Sequence, residues 1–299
     1  MAKQERWGKV HVDTRDWKVY NEELVQRGEF YVNPRFLETW LVEVNDLNEW
    51  KVGQPYVYPP SLIEFLAVLH ARGFDYRSLE GMMRAFARRI APFPVICFSQ
   101  IRRRVLALNP TFSLKADNLV VGGDGTGLKM TNRGEYRTEK YADHRGWIKV
   151  VILGDVKGNI VDIIVGNDDL SEPQAVRDMV QQHRKHIDKC LLDGLHDINE
   201  TFDLFEQHDI EPVINIRSNA NPHGFGARPR AVREYQSQPY QDWSKKHGYG
   251  YRWPATEGIF SAEKRMFGEE LTSHTKANMH REAKLKFWAY QTVRNHATN

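Results

Sequence analysis

The sequence predicts an α/β protein in which a mixed sheet flanked by helices follows a mainly helical N-terminal region. β-Branched and apolar runs of strand length, separated by turn residues, fill the region after Asn109-Pro110. Helical and strand-like segments then alternate, which is typical of a sheet with helices on both faces. The predicted elements are strands at Leu119–Gly123, Trp147–Gly154 and Ile160–Val165, a helix at Ser171–Arg184, a strand at Ile187–Leu192, a helix from about Ile198 to His208 and a strand at Ile210–Ile216.

Two helical regions precede this sheet. Residues 1–58 form an aromatic-rich segment in which Pro and Gly separate short helices. Residues 59–110 predict three further helices. The first has Ser61 as its N-cap, with Glu64 completing a capping box, and Ser99 caps the third.

Arginines are concentrated in the second and third of these helices. Six follow Glu80 with no further acid up to Leu108: Arg84, Arg88, Arg89, Arg102, Arg103 and Arg104. Three short helices ending in an arginine-bearing one resemble a helix-turn-helix DNA-binding region. Arg103 and Arg104 are its candidate DNA contacts, and an ordinary solvated helical face is the alternative.

Residues 111–299 are expected to form one larger domain, interrupted by a basic insertion at about 217–250. Its arginines before the first acid are Arg217, Arg228, Arg230 and Arg233. They lie among Asn, Pro, Gly and Ser, which predicts a basic loop outside the core. Arg228 and Arg230 are candidates for contact with nucleic acid.

Composition sets only broad limits. The formal charge of +3 is mildly basic and by itself favours no class of partner. No apolar run reaches the length of a membrane span, and the N-terminus lacks the apolar centre of a signal peptide, so the expected location is the cytoplasm. The two cysteines, Cys97 and Cys190, lie in separate segments, which argues against a zinc ribbon or a disulfide scaffold.

Two aspartates are placed where a sheet can expose them. Asp124 lies in Val-Val-Gly-Gly-Asp-Gly-Thr-Gly, after a short strand and beside small residues that allow close approach. An aspartate in a turn is the alternative. Asp193 ends a buried strand, where open α/β sheets place their sites. The nearby Asp197 more naturally caps the next helix, and His196 is expected on the surface.

A third acid, Glu257, opens the predicted helix Glu257–Phe267 behind Thr256, a good N-cap. An acid in the first turn also suits the helix dipole, which is the structural alternative. Lys264 follows two turns later on the same face, and Arg252 lies just upstream. An acid with two basic neighbours suits a metal ligand flanked by phosphate contacts.

These residues together resemble the DDE-type transposases of bacterial and archaeal insertion sequences. Tyr249-x2-Arg252-x4-Glu257-x6-Lys264 is similar to the signature around their catalytic glutamate, although that signature usually has three residues between Arg and Glu. Asp124 and Asp193 match the first and second aspartates. Further similarity upstream covers Trp17-x2-Tyr20-Asn21, Leu24, Arg27-Gly28 and Ser99-x3-Arg103-Arg104, so the resemblance extends over most of the chain.

The resemblance implies a ribonuclease H-like fold, and Asp124, Asp193 and Glu257 as catalytic residues that bind two Mg²⁺ (or Mn²⁺) ions. It implies cleavage at transposon ends and strand transfer into target DNA, with terminal inverted repeats and target DNA as partners. Tyr249, Arg252 and Lys264 would contact DNA. Self-association on DNA and a prokaryotic, nucleoid-associated cytoplasmic location are also expected.

Two alternatives remain at this point. One is a nuclease of the same fold that only hydrolyses DNA, and the other is a DNA-binding protein derived from a transposase that has lost catalysis. Short inverted repeats and a target duplication around the gene would favour the transposase.

Overall fold

The structure, a computed structural model, describes residues 3–6, 9–12, 16–33, 35–89, 95–114, 116–131 and 146–298. The chain forms two compact units, one of residues 1–107 with 291–299 and the other of residues 108–290. In the described part of the chain, no helix has both the length and the apolar character needed to cross a membrane.

The first unit is mainly helical. Its elements are strands β1 (Lys3–Arg6) and β2 (Lys9–Val12) and helices α1 (Trp17–Glu29), α2 (Phe36–Asn48), α3 (Pro60–Ala71), α4 (Tyr76–Ala87) and α5 (Phe98–Ala107). Helix α3 is buried along most of its length because apolar residues cover nearly all of its faces. Three helices therefore occupy residues 59–110, as the sequence predicts.

The predicted caps of α3 and α5 are wrong, because acids from neighbouring helices take their place. The backbone N–H of Ser61 donates to Glu43 at 2.9 Å, and the side chain of Ser61 makes no capping bond. The backbone N–H of Phe98, at the start of α5, donates to Glu80 at 2.7 Å. Long-range partners satisfy these N–H groups, so local capping patterns could not reveal them.

The second unit contains the sheet. Its elements are β3 (Leu119–Met130), β4 (Trp147–Asp155), β5 (Ile160–Asn167), α6 (Glu172–His183), β6 (Ile187–Leu192), α7 (Asn199–Gln207), β7 (Glu211–Ile214), α8 (Ala227–Gln236), α9 (Tyr240–His247), α10 (Arg252–Ala255), α11 (Glu257–Phe267), β8 (Glu270–Leu271) and α12 (Lys276–Thr298), whose last turns group with the first unit.

The strand order is β5-β4-β3-β6-β7, with β8 beside β3. The pairs β5–β4 and β4–β3 are antiparallel, whereas β3–β6 and β6–β7 are parallel. The prediction of a mixed sheet flanked by helices, behind a helical N-terminal region, is therefore confirmed.

Helices cover both faces of the sheet. On the face that we call the α6 face, α6, α7 and α8 pack on alternate strand residues such as Val121 and Leu192. On the opposite α11 face, Trp243 of α9 packs against Leu191 and Val213, while α10 lies over Gly122 and α11 lies over Gly154. Because successive strand residues point to opposite faces, this pattern fixes the direction of each side chain in β3 and β6.

Two segments differ from the sequence prediction. Strand β3 continues past Gly123 to Met130 because β4 pairs with it as far as Lys129. Asp124 therefore lies within a strand instead of after it. Residues 217–250 form α8 and α9 instead of a loop outside the core, since Val232 and Trp243 are buried against the sheet.

Candidate active site

The first two candidate carboxylates lie on neighbouring parallel strands. Gly122 of β3 pairs with Leu191 of β6, and both Asp124 and Asp193 come two residues later. The parallel register therefore brings the two aspartates to the same level, where β6 has just ended. Asp193 caps a short 3₁₀ helix there, with its carboxylate accepting the N–H of Leu195 at 2.9 Å.

Glycines on either side of Asp124 let α6 approach β3 closely. A Cβ at Gly123 would lie 2.8 Å from the Val176 side chain, and a Cβ at Gly125 would lie 2.3 Å from Oε2 of Glu172. A larger residue at Gly123 would collide with Val176, and one at Gly125 would displace the Glu172 carboxylate. Asp124 itself points to the opposite, α11 face, because strand residues alternate.

On the α11 face, Arg252 bridges the first and third candidate carboxylates. Its guanidinium donates to Oδ2 of Asp124 at 3.0 Å and to Oε1 of Glu257 at 2.8 Å. Burial raises the pKa of the Asp124 carboxyl, and the Gly125 amide and Arg252 only partly offset that rise. One guanidinium thus brings together two acids that are separated by 133 positions in the sequence.

The extra residue between Arg252 and Glu257 is accommodated by a break in the helix. Helix α10 ends at Ala255, Thr256 adopts φ −130° and ψ −81°, and α11 begins at Glu257. The Thr256 hydroxyl donates back to the Arg252 carbonyl at 3.0 Å. The break redirects the chain, so Arg252 still reaches Glu257 despite the longer spacing.

Tyr249 lies near the same group of side chains. Its ring packs with Trp243 at a centroid distance of 5.4 Å, against the cluster that contains Leu191 and Val213. Burial raises the pKa of Tyr249 to about 12, and the charges of Arg252 and Asp193 also act on its hydroxyl. Tyr249 is therefore a neutral, half-buried hydroxyl beside the candidate carboxylates.

Sequence reasoning missed two residues of the α6 face. Glu172 lies in the first turn of α6, and its buried carboxylate pairs with Lys149 at 3.4 Å. Burial would raise the pKa of this carboxyl, but His196 and Lys149 together lower it below its usual value. His196 is completely buried, so its expected surface position is wrong.

Basic residues from the 217–250 segment stabilise the turn that carries Asp193 and His196. Arg217 donates to the carbonyls of Gly194 at 2.6 Å and Leu195 at 3.0 Å. Arg228 pairs with the buried Asp197 at 2.6 and 3.1 Å. Asp197 therefore does not cap α7, since it is committed to this buried ion pair.

The other predicted DNA contacts differ in exposure. Lys264 donates to the Gly127 carbonyl at 3.2 Å and lies 3.7 Å from Glu269, while Arg230 is exposed and pairs with Glu206. In the first unit, Arg103 is exposed, whereas the Arg104 guanidinium lies over the Tyr58 ring at 5.4 Å.

Glu263, the other acid beside Lys264, belongs to the interior. It is fully buried, and among the described residues its carboxyl oxygens have no hydrogen-bond partner. Burial raises the pKa of Glu263 to about 8. It is therefore mostly protonated at neutral pH and unsuited to bind a cation.

The donor set around Asp124 and Asp193 fits hard divalent cations. Carboxylate oxygens are the protein ligands that Mg²⁺ prefers, and two carboxylates with bound water suffice for it. The Arg252 guanidinium already acts as a cation between Asp124 and Glu257. The arrangement therefore suits a cation bound by acidic oxygens beside the C-terminal end of β6.

Comparisons with known proteins identify the family of this chain. A family described as "Transposase DDE domain" matches residues 119–291, more than half of the chain, and a second family of the same description matches residues 25–133. Among solved structures, the chain is similar to the piggyBac transposase in a synaptic complex with hairpin DNA, with 8% identity and a TM-score of 0.42. That match covers 92% of this chain and 75% of that one.

Proposed function

The chain belongs to the DDE-domain transposases and is a DNA-cleaving, strand-transfer enzyme, and from that premise we propose that Asp124, Asp193 and Glu257 are its catalytic carboxylates. The observation that carries this assignment is their convergence. The β3–β6 register sets the two aspartates side by side, and Arg252 joins Asp124 to Glu257 at 3.0 and 2.8 Å.

The family implies divalent metal use. We assign the metal as Mg²⁺ (or Mn²⁺), and Asp124, Asp193 and Glu257 are the residues that would hold its two ions. When bound, the ions supply an activated water or 3′-hydroxyl and stabilise the leaving oxygen. The chain's own contribution is to hold three acids in place before DNA arrives.

The basic residues of the signature would bind and orient the DNA. Arg252 lies between two acids and is close enough to contact a phosphate at the reacting position, where a planar guanidinium can bind two oxygens at once. Lys264 is partly exposed beside Gly127 and would contact a neighbouring phosphate. Tyr249, as a neutral hydroxyl on an aromatic ring, suits contact with a sugar or base.

The remaining details also belong to this proposal. The DNA partners would be the terminal inverted repeats of an insertion sequence and its target DNA, and two copies of the chain would associate on the paired ends. In the first unit, Arg103 would contact DNA, with Arg104 supporting it from its place over Tyr58. In the second unit, Arg230 is the exposed candidate and Arg228 acts through the Asp197 turn. We expect the reaction in the cytoplasm of a prokaryotic cell, at the nucleoid when the protein is bound to DNA.

The test is cleavage and joining of an end-containing DNA duplex in Mg²⁺ or Mn²⁺. Asp124→Asn and Asp193→Asn should lower the cleavage rate by about a thousandfold or more, since bound metal supplies several kcal/mol of transition-state stabilisation. DNA binding should stay nearly unchanged. Asp203→Asn, on the exposed surface of α7, is the control and should cut normally. Normal cutting by Asp124→Asn would contradict the assignment.

The same assay separates the alternatives. A purely hydrolytic nuclease would cut the duplex without joining a 3′-hydroxyl to a second DNA. A DNA-binding protein that has lost catalysis would bind without cutting. Joined products from the unmodified chain would exclude both.

A further inference from the structure

His196 is a buried histidine with no hydrogen bond. Its side chain is 0% exposed, and within the described residues neither ring nitrogen has a hydrogen-bond partner. Nε2 lies 3.7 Å from Oε1 of Glu172 and 4.0 Å from Oδ1 of Asp193, which is too far for a hydrogen bond to either. Buried polar groups are nearly always bonded, so this buried ring without a hydrogen bond needs an explanation.

The spacing of the three residues suits a cation. One ligand atom from each of Glu172, Asp193 and His196 lies within 4.8 Å of the other two. Atoms that are each about 2.1 Å from a common ion can be roughly 3 to 4.2 Å apart. The distances from the imidazole nitrogen fall in that range. We propose that Glu172, Asp193 and His196 form a divalent-cation position in which the imidazole is a ligand.

The surroundings leave the necessary atoms available. Oε2 of Glu172 faces Lys149 at 3.4 Å, while Oε1 is the oxygen that faces His196. Gly125 leaves the room that Glu172 occupies, because a Cβ there would lie 2.3 Å from Oε2. Two carboxylates and one lysine give a net charge of −1, which still attracts a cation. Asp193 is partly exposed, so an ion can enter from its side.

The donor set also selects among metals. A neutral imidazole with two carboxylates favours Mn²⁺, Co²⁺ or Zn²⁺ over Mg²⁺ and Ca²⁺, which prefer oxygen ligands alone. The inference rests on the proposed function because Asp193 is shared with the catalytic centre. It adds Glu172 and His196 to that centre. The ion that Asp193 would hold is then the one that also binds the imidazole nitrogen of His196.

The experiment is pulsed electron paramagnetic resonance of the full chain with Mn²⁺ and without DNA, which detects ¹⁴N bonded to the ion. The unmodified chain should show a ¹⁴N coupling from one imidazole. His196→Gln should lose that coupling and weaken Mn²⁺ binding by about tenfold or more. His223→Gln, at an exposed histidine, is the matched control and should keep both.

Several results would overturn the inference. These are bound Mn²⁺ without ¹⁴N coupling in the unmodified chain, no Mn²⁺ binding at all, or a coupling that survives in His196→Gln. Glu172→Gln provides a second measurement if His196→Gln does not fold, and unchanged Mn²⁺ affinity in that variant would also contradict the inference. Failure of the proposed function is recognised separately, as normal cutting by Asp124→Asn.

Discussion

The two faces of the sheet differ in how side chains of the protein pair with their carboxylates. On the α11 face, Arg252 lies within 3.0 Å of Asp124 and 2.8 Å of Glu257, so the chain supplies its own cation. On the α6 face, His196 lies 3.7 Å from Glu172 without bonding to it. The protein therefore pairs the acids of one face with its own arginine, whereas His196 on the other face makes no hydrogen bond within the described residues.

This difference indicates how a site that binds metal can fold before metal is present. Unpaired acids held close together repel one another and are costly to bury. Arg252 offsets part of that cost for Asp124 and pairs with Glu257, while Lys149 pairs with one oxygen of Glu172. Within the described residues, neither ring nitrogen of His196 has a hydrogen-bond partner, and an ion bound there would give one of them a partner.

The position of His196 on the α6 face depends on the turn that carries it, and Arg228 stabilises this turn. Arg228→Ala would leave the carboxylate of Asp197, which is 0% exposed, buried and without its ion partner. Removing one partner of a buried ion pair costs about 3–5 kcal/mol. We expect the free energy of unfolding, measured by urea denaturation, to fall by that amount.

Arg230 is the matched control for this change, since it lies two positions later on α8. Its ion pair with Glu206 is exposed, so Arg230→Ala should cost no more than about 1 kcal/mol. Equal losses for the two variants would mean that the Arg228–Asp197 pair does not hold the turn.

The α11 face also contains the buried acid Glu263, whose carboxyl oxygens make no hydrogen bond within the part of the chain that the structure describes. Burial raises the pKa of Glu263 to about 8, from the ordinary 4.5 that applies to the unfolded chain. The folded state then binds the proton more tightly, so stability should fall as pH rises from about 4.5 to about 8. Glu263→Gln cannot lose a proton and should remove this fall.

The measurement is thermal or urea unfolding at pH 5 and pH 8.5. Glu263→Gln should match the parent near pH 5 and be more stable at pH 8.5, by about 2–3 kcal/mol once relaxation around the buried charge is allowed for. Glu257→Gln, on the same helix but exposed beside Arg252, should show no such gain. Parallel pH profiles for Glu263→Gln and the parent would contradict the assignment of Glu263 to the interior.

The fold was largely predictable because local patterns determine it. Strands Trp147–Asp155 and Ile160–Asn167 are β-branched and joined by turn residues, and the helix at Glu257–Phe267 has helical spacing and begins as expected. The full length of β3 was not predictable. Its glycines are tolerated in a strand only because β4 and α6 cover them, and the sequence does not specify those tertiary contacts.

The residues of the candidate site were predictable where they belong to a recognisable sequence motif. Asp124, Asp193, Arg252 and Glu257 were recognised from spacing and family resemblance, and the structure places them near one another. Glu172 and His196 belong to no motif in that signature. Their importance depends on burial and on the 3.7 Å separation of two side chains that are 24 positions apart in the sequence, which local sequence rules do not encode. The polar segment predicts Arg228 as a contact with DNA, and its charge alone does not reveal the buried partner Asp197.

The smallest expected effect concerns Arg252 itself. If the guanidinium occupies the place of a metal between Asp124 and Glu257, removing it should increase the affinity for a cation there. Arg252→Ala should bind Mn²⁺ about tenfold more tightly without DNA, corresponding to about 1.4 kcal/mol from lost competition by two ion pairs. Calorimetric titration measures this change, and Arg265→Ala, an exposed arginine on α11, should leave the affinity unchanged. Weaker binding in Arg252→Ala would mean that the guanidinium positions the carboxylates for metal instead of competing with it. The two faces would then not differ in whether the protein itself blocks a cation.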